Sequence, residues 1–153
     1  MAIAPNTTFV ANTVLTAAQQ NAFNFGTCQF NSTSTTSSTI TTISTQITLS
    51  SFTFIASRNY KITYFEPVMF CTSGSGEATL TLKNTTAATT LATCIATVNV
   101  TNSSFGMLQY VTQFSAGASV VSASLTYSGA GSLTASRSAT RTAFLLVEDI
   151  GPA

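Results

Sequence analysis

In RNYKITYFE, residues 58–66, Tyr60, Ile62 and Tyr64 alternate with Lys61 and Thr63. In EATLTLK, residues 77–83, Leu80 and Leu82 alternate with Thr79 and Thr81. A period of two places alternate side chains on opposite faces of an extended chain, so each segment reads as a half-buried strand. The same pattern runs through TITTISTQITL, SFTFIA, TLATCIATVNV, FGMLQYVTQF, ASVVSASLTY and RSATRTAFLLVE. Their Thr, Val, Ile, Phe and Tyr suit a pleated surface. Turn-forming clusters fall between them: SGSG at 73–76, KNTTAA at 83–88, NSSFG at 102–106, SAG at 115–117 and SGAG at 128–131. No stretch after residue 30 reads as a crossover helix. The expected class is all-β, an antiparallel jelly-roll sandwich of about eight strands.

The start differs. Thr16 can cap the helix formers Ala17, Ala18 and Gln19, which predicts a short helix over about 16–24, ended near Gly26. Before it, TTFVANTVL reads as extended. The chain is therefore divided into an N-terminal arm with its helix, 1–26, and a sandwich domain, 27–153. STSTTSST at 32–39 runs into a strand pattern and reads as a hydroxyl-rich edge or loop.

Only 6% of the 153 residues are charged, the net charge is +1, and the first charged residue is Arg58. Five scattered cations build no basic patch, which argues against nucleic acid and against an anionic membrane surface as partners. About a third of the residues are Ser or Thr. Hydroxyls hydrate a surface without repelling another copy, so this composition suits permanent assembly. MAIAPNTTFV lacks the basic and apolar regions of a secretory signal, and no apolar run is long enough for a membrane-spanning helix. Cys28, Cys71 and Cys94 form no CxxC pattern and read as reduced thiols serving as small hydrophobes, consistent with synthesis in a reducing cytosol.

The chain contains no histidine, which removes Ser-His-Asp and Cys-His nucleophile activation and the commonest transition-metal ligand. Neighbouring acids in a strand point to opposite faces, so Glu148 and Asp149 make a poor catalytic pair. Salt bridges to Arg137, Arg141 or Lys61 are expected instead. The glycines of SGSGE and SGAGS lack the lysine and helix of a phosphate loop and read as hairpin turns. Five Asn-x-Ser/Thr sequons, at Asn6, Asn31, Asn84, Asn99 and Asn102, exceed only slightly the roughly three that chance gives at this composition. No catalytic, cofactor-binding or metal-binding residue is expected, and the chain reads as no enzyme.

Exposed hydrophobes are the stronger signal. Leu108, Tyr110 and Phe114 share one face of FGMLQYVTQF, while Met107 and Val111 share the other with Gln109 and Gln113. A strand apolar on both sides is central in a sandwich or faces another subunit.

The end of the chain, RSATRTAFLLVEDIGPA, resembles the C-terminal strand of tailed-bacteriophage virion proteins, in which an apolar run followed by VEDIGP closes a β domain. NTVLTAAQQNAFNF resembles the lead-in near the N-termini of related phage tail and head proteins. Between them, RNYKITYFEPVMF with EATLTLK looks like the jelly roll of tumour-necrosis-factor and complement-like heads. The resemblance implies a structural virion protein, assembled in the host cytoplasm and commonly a homotrimer. Because the chain has no long fibrous stretch, a capsid decoration or cement protein that clamps neighbouring coat subunits fits it best. A minor tail, baseplate or fibre component is the alternative, with a receptor- or glycan-binding head in which Tyr60, Tyr64 and Tyr127 stack on sugars. Phe9, Val14, Leu15 and Phe23 are the residues expected to touch coat protein or a neighbouring chain. Leu108, Tyr110, Phe144 and Leu146 are expected in the trimer interface or the intrachain core.

Overall fold

The computed structural model describes residues 26–153. The expected helix over 16–24, the arm, and Phe9, Val14, Leu15 and Phe23 lie outside the described residues. The strands are β1 (Gly26–Thr33), β2 (Ser37–Ile40), β3 (Ser44–Thr48), β4 (Phe52–Phe54), β5 (Arg58–Cys71) and β6 (Ser75–Asn84). They continue with β7 (Thr89–Asn99), β8 (Ser104–Gln113), β9 (Gly117–Ser119), β10 (Val121–Gly129), β11 (Leu133–Ala135) and β12 (Ala143–Pro152).

Twelve strands replace the expected eight, because β2, β4, β9 and β11 are short pieces of three or four residues. The eight longest form two rows, β1-β12-β5-β8 and β3-β10-β6-β7, with every paired neighbour antiparallel. Counted among those eight in chain order, the rows run first-eighth-third-sixth and second-seventh-fourth-fifth. That is the jelly-roll order. β11 continues the β12 edge of β5 and carries β2 beyond it, and β4 pairs with β9. The hydroxyl-rich stretch 32–39 spans the end of β1, a turn and the start of β2.

Side-chain parity decides what fills the space between the sheets. Tyr60, Ile62 and Tyr64 from β5 meet Ala78, Leu80 and Leu82 from β6, with Leu125 of β10 and Leu145 and Val147 of β12. Each large apolar side chain removed from water contributes about 1.5–3 kcal/mol, so these alternating positions hold the sheets together. Parity resets once on β5. The β5–β8 register slips between Glu66 and Met69, around Pro67, whose missing N–H is tolerated at a bulge. One end of the sandwich is closed by aromatic rings: Phe54 stacks on Phe114 at 3.8 Å and meets Tyr60 edge-on at 4.8 Å.

The same parity divides the four residues expected in the trimer interface or the intrachain core. Leu108 is buried, and Tyr110 packs against the core from a half-buried position. Phe144 and Leu146 are not core residues of their own chain. They alternate with Ala143, Leu145 and Val147, which take the inward positions, and so project from the outer face of β12.

Candidate interaction face

Alternation puts Phe30 of β1, Phe144 and Leu146 of β12, Phe65 of β5, and Met107 and Val111 of β8 on one outer sheet face. The register makes them neighbours. Phe30 lies opposite Leu146, Phe144 opposite Phe65, and Phe65 opposite Met107. The rings form a row, with Phe30 and Phe144 centroids 6.1 Å apart and Phe144 and Phe65 centroids 5.5 Å apart. Phe30, Met107 and Val111 are each more than half exposed. Within these four strands the outward charges are Lys61 and Glu148, and they neutralise each other, Nζ to Oε2 at 2.6 Å.

The other sheet shows a contrasting outer face. Thr79 and Thr81 of β6 lie opposite Thr126 and Ser124 of β10, and Thr81 lies opposite Thr93 of β7. Two faces built by the same alternation thus carry contrasting chemistry, one mainly of aromatic and aliphatic groups and one mainly of hydroxyls, with the exposed Ile95 of β7 opposite Thr79. A contiguous exposed apolar face marks an interaction surface.

The buried charges sit between the sheets and are fully engaged. Arg58 donates from Nε and Nη2 to both Asp149 oxygens, at 2.5 and 2.8 Å, and the Gly151 N–H donates to Asp149 Oδ1 at 2.9 Å. Arg137 donates to both oxygens of Glu66, at 2.8 and 2.5 Å, to Gln46 Oε1 at 2.8 Å and to the Thr35 carbonyl at 3.0 Å. Tyr64 donates its hydroxyl proton to Glu66 Oε2 at 2.7 Å. Burial pushes the Tyr64 hydroxyl well above the usual tyrosine range, and the adjacent Glu66 carboxylate adds to the shift. For Arg137, burial opposes the charge, but hydrogen bonding and attraction to Glu66 outweigh it, and its pKa rises. No buried side-chain nitrogen or oxygen among the described residues lacks a hydrogen-bond partner. This chemistry holds the fold together.

Glu148 and Asp149 do point to opposite faces, and Lys61 takes Glu148 as expected. The partner of Asp149 is Arg58, which was not anticipated, and Arg137 serves Glu66 instead. Cys28, Cys71 and Cys94 are free thiols, with burial raising the pKa of Cys28. Tyr60, Tyr64 and Tyr127 are buried inside the sandwich, which overturns the expectation that they stack on sugars. Phe30 and Phe65 escaped the sequence reading. Their membership of the face follows only from register with β12, although the odd-even spacing of Phe144 and Leu146 already signalled an apolar outer side.

No protein-family model matches the chain, and no curated protein sequence does. Among solved structures the backbone is similar to murine APRIL, at 14% identity and TM-score 0.46, covering 82% of this chain and 99% of that one. It is also similar to a carbohydrate-binding module of the Cellvibrio mixtus lichenase 5A, at 16% identity and TM-score 0.38, covering 86% and 92%. A third likeness is to a xylan-binding domain of Paenibacillus barcinonensis Xyn10C, at 9% identity and TM-score 0.36, covering 81% and 87%.

Proposed function

We propose that this chain is a structural, non-enzymatic virion protein of a tailed bacteriophage, acting as a homotrimeric capsid decoration or cement protein that clamps neighbouring coat subunits. The observation that carries self-association is the apolar face built from Phe30, Phe65, Phe144, Leu146, Met107 and Val111. A strand apolar on both sides is central or faces another subunit, and the place of β8 at the end of its row supports the second reading.

Support for the virion role comes from the resemblance of AFLLVEDIGPA and NTVLTAAQQNAFNF to phage structural proteins. In this reading Phe9, Val14, Leu15 and Phe23 make the contact with coat protein. A trimer that holds several coat subunits at once multiplies modest contacts through effective concentration. Counting copies per particle by quantitative mass spectrometry tests the assignment. Decoration predicts copies on the scale of the coat protein, whereas a handful per particle moves the chain to the tail, and none refutes a virion role.

A further inference from the structure

A second association surface lies away from the apolar face, at the free edge of the hydroxyl-bearing sheet. Among the described residues, β7 ends the row β3-β10-β6-β7 and pairs on one side only, with β6. A free edge is normally blunted by charge, proline, a bulge or a covering segment. The opposite side of the sandwich shows such devices. β1 slips register between Thr27 and Gln29, and the Asn31 side chain reaches across to the Thr48 carbonyl of β3 at 2.9 Å. On β7 the ladder slips only near its start, around Leu91, and the Ser104 hydroxyl caps the Thr97 carbonyl at 2.7 Å. The regular stretch between them, Ala92–Ala96, carries neither charge nor proline.

Exposed apolar side chains border that stretch. Ile95 on β7 and Val100 in the following turn are each more than half exposed. From Asn84 to Ser136 the chain has no Asp, Glu, Lys or Arg, so two copies meeting along this edge bring no like charges together. An antiparallel edge is self-complementary, because a two-fold axis sets each outward N–H opposite a carbonyl of the partner.

We propose that β7 pairs antiparallel with β7 of a second copy over Ala92–Ala96, joining the two four-stranded rows into one eight-stranded sheet. Ile95 and Val100 flank the new ladder and become covered. This contact is independent of the apolar face, so it links the units that the face assembles.

The test combines sedimentation velocity with residue-resolved hydrogen exchange on the full chain across a hundredfold concentration range. Wild type is expected to show a concentration-dependent association step accompanied by at least tenfold slower exchange of the outward β7 amides. Ile95→Lys and Thr93→Lys, both at exposed positions, are expected to abolish that step and its protection at unchanged thermal stability. Phe144→Lys is expected to leave the β7 protection in place while disrupting the face. β7 amides that exchange at one rate at all concentrations, or association unchanged in both lysine variants, overturn the proposal. Loss of association in Phe144→Lys alone would instead confirm the face and refute the edge.

Discussion

Arg58 and Asp149 stand ninety-one positions apart and meet as a two-pronged ion pair between the sheets, with both side chains almost wholly buried. The pair ties the first residue of β5 to the end of β12, where the ladder slips between Asp149 and Gly151. Removing one partner leaves an uncompensated charge out of reach of water. Asp149→Ala is therefore expected to lower unfolding free energy by about 3–5 kcal/mol, measured by urea denaturation. The double variant Arg58→Met/Asp149→Leu is expected to lose less than Asp149→Ala alone.

Tyr64 predicts a particular alkaline behaviour. Its hydroxyl is held protonated in the fold by burial and by Glu66, whereas in the unfolded chain it titrates near the ordinary value of about 10. The native state thus binds more protons above that pH. Its contribution to stability is whole below pH 10 and falls as pH rises, by about 1.4 kcal/mol per unit, until the folded-state pKa is reached. Absorbance at 295 nm is expected to show Tyr64 ionising only together with unfolding. Tyr64→Phe is expected to flatten the stability profile above pH 10.

Gly76 shows how tightly one turn is packed. A Cβ at this position would lie 2.5 Å from the Ser128 carbonyl oxygen and 2.6 Å from the Tyr127 hydroxyl. That hydroxyl donates to the Ala130 carbonyl at 3.0 Å, so neither neighbour moves freely. Gly76→Ala is expected to cost about 1–3 kcal/mol, visible as a lower Tm by calorimetry.

Thr39 is a β-branched residue at φ 62° in β2. The left-handed region costs an ordinary side chain about 1–2 kcal/mol, more than the about 0.5–1 kcal/mol that glycine loses through chain entropy. Thr39→Gly is expected to leave the fold intact and raise Tm slightly. A lower Tm would mean that the threonine side chain makes a compensating contact.

Alternation in RNYKITYFE and EATLTLK made the strands and their inward residues legible, because a period of two fixes which side chains share a face. The clusters at 73–76 and 128–131 marked real turns because their glycines adopt positive φ, at Gly74 and Gly131. Register was not legible. Which strand lies beside which is set by contacts far apart in the chain, so the Arg58–Asp149 and Arg137–Glu66 pairs and the row Phe30-Phe144-Phe65 appeared only in the fold. Whether Phe144 and Leu146 belong to the intrachain core or to an outer face was not legible for a simpler reason. AFLLV is apolar at every position, so composition alone cannot say which parity faces inward.

The central claim is that the face around Phe144 is covered by other copies of this chain. Sedimentation equilibrium of the full chain at micromolar concentration measures this most directly, in wild type and in Phe144→Lys. The account predicts assembly to at least three times the 15.9 kDa chain mass for wild type, and nothing larger than the β7-paired dimer for the lysine variant. A wild-type protein that remains monomeric across the range, or a Phe144→Lys variant that assembles as wild type does, would contradict it.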